Sequence, residues 1–362
     1  MQYIRPSYYD KFKCIGAACP DTCCRGWQIM IDEDTMQHYQ NLEGEFGEAI
    51  RTGIDEEESC FLQEKDGKCH FLREDGLCQI FWKSQDEGDW CDTCRTYPRH
   101  IEEFEDVREI SIGMSCPEAA RIIFEETQPL SFIMEEDEEY EEYEDFDYLL
   151  YSKLLDIREL LLKILQNRRK SLEERFLTAK GIILEIKNAI DENRFFEIDT
   201  ILEEADSIKG CRKESRFEER KRLFSYLKEF ELLRESWRKL RKQAEGLLYQ
   251  ADEDVYEKAV LSFYEDGYAE GRESWELAME QIAVYFIFIY LCGAVYDDRV
   301  KEKYEMAEFA VKMIEDIAIA YRQIKGDKID REDLIRIAGS FCRELEHSDE
   351  NLELLEELLF EA

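Results

Sequence analysis

The sequence predicts a mainly α protein: a small loop-rich cysteine domain carrying a β-hairpin, followed by an all-α helical domain. Three observations carry that expectation. Ten of the thirteen cysteines lie between Cys14 and Cys116, all five prolines lie at or before Pro129, and from Tyr148 onward apolar residues recur at three- and four-residue spacing. The 362 residues are enough for two domains, and 44% apolar with 12% aromatic residues is enough to bury a real core. The division falls at 1–130 for the cysteine domain, 131–147 for an acidic linker and 148–362 for the helical domain.

Taken in order, residues 1–24 sustain neither a helical nor a strand period, and Gly16, Pro20 and Gly26 punctuate them, so they read as loop. Asp32 is placed to cap a helix over Glu33 to Arg51 that ends near Gly53. Lys68–Leu72 and Leu77–Phe81 flank Asp75-Gly76, a hairpin signal that would set Cys69 and Cys78 on neighbouring strands. Val107–Ile112 reads as a strand, and Pro117–Phe124 as a helix with proline in its first turn. Residues Glu135 to Asp147 are almost wholly acidic and read as a solvated linker or an exposed helix start.

Beyond it, Leu150, Leu154, Ile157, Leu161, Ile164 and Leu165 trace one helical face. Similar patterns cover Leu172–Ile190, Arg216–Tyr249, Tyr256–Phe263, Ser274–Tyr296, Glu302–Ile324 and Arg331–Leu345, an antiparallel helical array.

The net charge of −38 argues against a nucleic-acid partner, because a phosphate backbone would be repelled. No apolar run follows basic residues at the N-terminus, which points to the cytoplasm. The longest apolar run, Ala283 to Tyr296, spans about 21 Å as a helix against the roughly 30 Å of a bilayer, so a buried helix and no membrane association are expected.

In a reducing compartment, clustered cysteines point to metal or cluster ligation rather than disulfides. The candidate ligands are Cys14, Cys19, Cys23, Cys24, Cys69, Cys78, Cys91, Cys94 and Cys116, while Cys60, alone in an acidic segment, reads as a bystander. Spacing leaves zinc and iron–sulfur chemistry open. No Gly-x-Gly-x-x-Gly or Gly-Lys-Ser/Thr loop exists, and the Cys-x-x-x-Cys-x-x-Cys spacing of radical adenosylmethionine enzymes fails at Gly26. Arg95, Tyr97, Arg99 and His100 follow Cys94 closely enough to support the sulfurs or to line a pocket, and Trp27 follows Cys23-Cys24-Arg-Gly.

These motifs, Tyr9-Asp-Lys-Phe-Lys-Cys14, Ala18-Cys-Pro-Asp-Thr-Cys-Cys-Arg-Gly-Trp27, Cys69-His-Phe-Leu72, Gly76-Leu-Cys-Gln-Ile80, Cys91-Asp-Thr-Cys-Arg-Thr-Tyr-Pro-Arg-His100 and Ser115-Cys-Pro-Glu-Ala-Ala120, resemble the flagellin lysine-N-methylase family. That family falls within a wider group of cysteine-rich zinc- or iron-chelating proteins. The resemblance covers about the first third of the chain. It implies methyl transfer from S-adenosylmethionine to lysines of flagellin or another lysine-bearing protein, with a four-iron iron–sulfur cluster on the cysteines. It has no place for Cys60, Cys211, Cys292 or Cys342.

Such a reaction needs a neutral lysine amine, although a free lysine titrates near 10.4. The donor's sulfonium favours aromatic faces, for which Trp27, Trp90 and Tyr97 are nearest the cysteines in sequence. Trp27, Arg95, Tyr97 and Arg99 are the expected cofactor-pocket residues; the catalytic base is not legible.

Overall fold

A computed structural model describes the chain except residues 66, 85, 86, 144, 211–213, 251 and 362 and the side chain of residue 87. Cys211 therefore lies outside the described residues. The architecture is mainly α. Near the N-terminus a four-stranded sheet runs in the order Arg99–Phe104, Val107–Ile112, Gln2–Pro6, Phe132–Glu136. Gln2–Pro6 pairs parallel with Val107–Ile112 and antiparallel with Phe132–Glu136.

Val107–Ile112 is the expected strand, and it is buried nearly throughout because both of its edges are paired. Gln2–Pro6 falls in the stretch read as loop. Its five residues carry no apolar alternation, and its pairing is supplied by partners more than a hundred residues away. The acidic run starts inside Phe132–Glu136, where Glu135 pairs with Arg5 at 2.8 Å.

Asp32 caps its helix as expected, accepting from the Thr35 N–H at 2.8 Å. The helix is split into Glu33–Asn41 and Gly44–Arg51, with Gly44 at φ +82° making the corner. The Asp75-Gly76 turn also forms, with Gly76 at φ +80° and the Arg73 N–H on the Leu77 carbonyl at 2.9 Å. The hairpin it was expected to close is reduced to one bridge, Leu72 with Cys78. Gln79–Lys83 turns into a helix instead, burying Ile80 beside Phe71 and leaving Phe81 and Trp82 exposed. Cys69 and Cys78 are thus held by a turn and a helix start rather than by paired strands.

Two apolar cores result. The smaller gathers Ile29, Tyr39, Ile50, Phe61, Phe71 and Ile80 with Cys69 and Cys91. The larger runs from Ile4 through the sheet and the helix Pro117–Glu125 into the helical array, where Val300–Lys325 packs against Arg272–Tyr290. The expected stretch Arg216–Tyr249 is broken into Arg216–Tyr226 and Glu235–Leu248, and Arg234 caps the second helix in an extended conformation. By length and composition Arg272–Val295 could cross a bilayer, but 89% of its most apolar window is buried inside the protein.

The large core also buries charge, much of it in pairs. Arg158, 7% exposed, meets Glu109, 2% exposed, and so ties the central strand to the helix Tyr148–Leu165. The Arg158 guanidinium also lies 5.1 Å from the centre of the Phe288 ring. Glu280 receives Arg175 at 2.7 Å and Arg168 at 2.8 Å. Removing one partner strands the other in a low-dielectric interior. Glu109→Ala is therefore expected to destabilise the chain by about 3–5 kcal/mol, read by chemical denaturation. A loss no larger than that of an exposed pair would show that Arg158 escapes to solvent.

Candidate thiol cluster and aromatic crevice

The cysteines are positioned by short elements rather than by a regular scaffold. Cys78 precedes the helix Gln79–Lys83, Cys91 precedes Asp92–Thr96, and Cys116 precedes Pro117–Glu125; each sits at the N-cap. Backbone N–H groups of the first turns act on these sulfurs, from Ile80 and Phe81 on Cys78 and from Glu118 and Ala119 on Cys116. None closes into a short cap hydrogen bond, and they only offset in part the rise that contact with Cys24 and burial impose on the Cys78 thiol and the burial that pushes Cys116 up to about 11. The Cys91–Cys94 turn is anchored by the Asp92 N–H on the Asp32 carboxylate at 2.8 Å and by the Thr93 hydroxyl on the Met30 carbonyl at 3.0 Å. Cys69 is tied to the first cysteine loop through its N–H on the Cys24 carbonyl at 2.9 Å.

Five thiols from four segments thereby interact with one another. Side-chain contacts join Cys24 to Cys78 and Cys91 to Cys94, and Cys94 feels the charge of Cys24 and Cys78. Cys69 feels Cys78 and Cys91. Contact with Cys23 pushes Cys24 up to about 12, although the Cys78 contact opposes it; burial pushes Cys69 up to about 12. Cys91 is held below the usual thiol range by the proton of Cys94. All described cysteines are free, and among the described residues no group of three or more His, Cys, Asp or Glu side chains is already arranged to hold a metal ion. The thiols are gathered but not closed on one point.

Beside them the cysteine segment meets the helical array. Trp27, Tyr97 and His347 form a half-buried aromatic crevice, with ring centres 4.5 Å apart for Trp27–His347 and 5.7 Å for both other pairs. The Trp27 indole N–H is fixed on the Cys23 carbonyl at 2.7 Å, and the Tyr97 hydroxyl lies 3.2 Å from Ser115 Oγ. Buried Arg343 spans the junction, donating to the Ser115 carbonyl at 2.8 Å and the Asp21 carbonyl at 2.7 Å. Arg234 reaches the Asp21 carboxylate at 2.9 Å and the Arg25 carbonyl at 2.7 Å.

Of the expected pocket residues, Trp27 and Tyr97 thus share one crevice, whereas Arg95 is exposed and paired with Asp92, and Arg99 lies over the Phe12 ring. Of the expected ligands, Cys19 and Cys116 interact with each other and with Arg343, Cys14 is exposed, and Cys23 bridges towards Cys24. Cys60 is buried and accepts from Gln28 at 3.1 Å. Sequence reasoning missed Arg234, Arg343 and His347. Arg343 and His347 lie on or at the end of the helix Arg331–Glu346, and no local pattern ties them to cysteines over two hundred residues earlier.

A cleft of about 1030 Å³ lies elsewhere among the helices, around Lys180, Glu219, Glu308 and Lys312. Those groups pair with one another, and among the described residues no cysteine lines the cleft.

Burial, with Arg343 and Arg234 nearby, pushes His347 down to about 3. An unfolded histidine titrates near 6.5, so the unfolded chain binds this proton first as pH falls. Stability should therefore decline from about pH 6.5 towards 3. His347→Phe should flatten that part of the wild-type profile in denaturant titrations; parallel profiles would place His347 in water.

Three comparisons bear on ancestry. No solved structure matches the chain. Two lysine-N-methylases, from Salmonella choleraesuis and Salmonella typhimurium, are 28% and 27% identical over 138 residues, covering 35% of this chain and 33% of each relative. The match thus spans about a third of those relatives' length. A flagellar biosynthetic protein FliU from Salmonella muenchen is 27% identical over 138 residues, with 79% of its own length covered. The FliB lysine N-methylase C-terminal domain matches residues 158–362, the region that supplies Arg234, Arg343 and His347. With more than half of its length matched, the chain belongs to the FliB lysine N-methylase family.

Proposed function

We propose that this chain is a protein-lysine N-methyltransferase that uses S-adenosylmethionine, carries a thiolate-bound iron–sulfur cluster and modifies a flagellin-type or other lysine-bearing protein. The relatives' names support the reaction class. The observation that carries the site is the gathering of Cys24, Cys69, Cys78, Cys91 and Cys94 beside a crevice built from both parts of the chain.

The donor set fits a soft, sulfur-preferring metal, because thiols far outnumber imidazoles in the gathered segment. Binding would displace the protons that burial and thiol–thiol contact now hold. The cluster and the donor would supply redox-active iron and an electrophilic methyl group.

The residues of the chain itself account for the remaining needs. Trp27 and Tyr97 offer aromatic faces to a sulfonium. An acceptor lysine entering beside Arg343 and Arg234 meets like charge and partial desolvation, both of which disfavour the ammonium and release the proton that blocks attack. His347 stays neutral there, so its imidazole can accept a hydrogen bond from the amine. The charge of −38 would gather lysine-rich partners at low salt.

Cys24→Ser and Cys94→Ser should each lose metal from anaerobically purified protein, while Cys60→Ser keeps it, as read by elemental analysis and acid-labile sulfide. Equal loss from all three variants would refute the ligand assignment, and zinc without sulfide would replace the cluster with a zinc site. The reaction itself is tested by calorimetric titration with S-adenosylmethionine, then mass spectrometry of flagellin incubated with both. Methylated lysines whose yield falls as ionic strength rises are expected. Loaded protein that binds no S-adenosylmethionine would leave a metal-binding module without this activity, and binding without flagellin methylation would discard only the acceptor.

A further inference from the structure

Residues 15–30 contain one short 3-10 turn and isolated bridges, so no ladder of their own fixes the loop that bears Cys19, Cys23 and Cys24. Backbone bonds from Cys69 to the Cys24 carbonyl and from Gly26 to the Gly67 carbonyl, each 2.9 Å, hold its end, and side chains from the helical region hold the rest. Arg343, 2% exposed, makes three contacts: Nε on the Ser115 carbonyl at 2.8 Å, Nη2 on the Asp21 carbonyl at 2.7 Å, and Nη1 3.0 Å from the Asp21 carboxylate. Arg234 holds the same carboxylate and the Arg25 carbonyl.

The positions held are informative. Asp21 lies midway between Cys19 and Cys23, Arg25 follows Cys24, and Ser115 precedes Cys116. Each clamped group therefore sits within two residues of a thiol. Gly26 completes the fit: it adopts φ +86°, and a Cβ there would lie 2.3 Å from Arg234 Nε. Arg234 occupies the extended N-cap position just before Glu235, outside the helix proper.

We infer that Arg343 and Arg234 are positioning residues for the thiols, so that the helical region sets the geometry of the cysteine loops through a guanidinium clamp on Asp21, Arg25 and Ser115. A planar fork of five donors can hold two carbonyls and a carboxylate at once; a lysine ammonium at the same place cannot reproduce that arrangement. The loop half of the inference stands on these contacts alone. Its consequence for metal retention rests on the proposed sulfur-bound cluster.

The test uses full-length protein with Arg343→Gln, Arg343→Lys and Arg234→Gln. Native-state alkylation followed by mass spectrometry reads each cysteine separately, and Cys292, fully buried in the large core, reports whether the fold survives. In Arg343→Gln, Cys19 and Cys116 should be alkylated faster than in wild type while Cys292 stays protected, and Arg343→Lys should recover only part of the protection. In metal-loaded protein the Gln variant should weaken metal retention roughly 10- to 100-fold, the usual effect of losing a group that orients ligands. Wild-type alkylation rates at Cys19 and Cys116, with Cys292 protected, would overturn the inference. If Arg343→Gln exposes Cys292, Arg234→Gln decides by the same criterion at Cys19, Cys23 and Cys24. If the wild type holds no metal, the alkylation result still decides the clamp, and only the cluster reading fails.

Discussion

The segment from Cys14 to Cys116 has too little apolar surface to specify its own loops, and the rest of the structure answers that constraint. Its private core has fewer than a dozen fully buried residues, two of them cysteines. Domains with cores this small generally need metals, disulfides or a partner surface. Disulfides are absent here among the described residues. Two other supports are present: thiols crowded so that they interact, and arginines reaching over from the helices. The sheet adds a third, because Gln2–Pro6 and Val107–Ile112 draw both flanks of the cysteine segment into the large core.

The chain manages its acidity by the same economy. Several interior carboxylates are paired with arginines or capped by tyrosines: Glu109 with Arg158, Glu280 with Arg175, and Asp316 with Arg220 and the Tyr256 hydroxyl, whereas Glu105 and Glu344 accept from the backbone N–H groups of Tyr143 and Leu233. Asp21 is the instance with the most consequence for the site, since a single carboxylate engages two guanidiniums at the junction of the two regions.

Much of the helical array is legible in the sequence, because helices read from apolar spacing need only local information. Pro117 at a helix start and the Asp32 cap are legible for the same reason. Of the sheet only Val107–Ile112 is: Gln2–Pro6 lacks alternation, and its partners are remote. The Asp75-Gly76 turn is legible too, yet the conformation of residues 79–83 is decided by where Ile80 can be buried. At the site, the cysteine groups announce themselves through spacing, and Trp27 and Tyr97 through proximity to them. Arg343, Arg234 and His347 carry no such mark, since ordinary helical and loop residues acquire their role only when folding brings them against the cysteine loop. The motifs that carry the resemblance lie in the first third, whereas the matched family domain is the helical region that provides these three residues.

The central claim is that the gathered thiols form a sulfur-rich metal centre. X-ray absorption at the iron and zinc edges of anaerobically purified full-length protein addresses it most directly. The account predicts iron with a first shell of sulfur and a second shell of iron neighbours. Protein free of both metals, or metal surrounded only by nitrogen and oxygen, would contradict it.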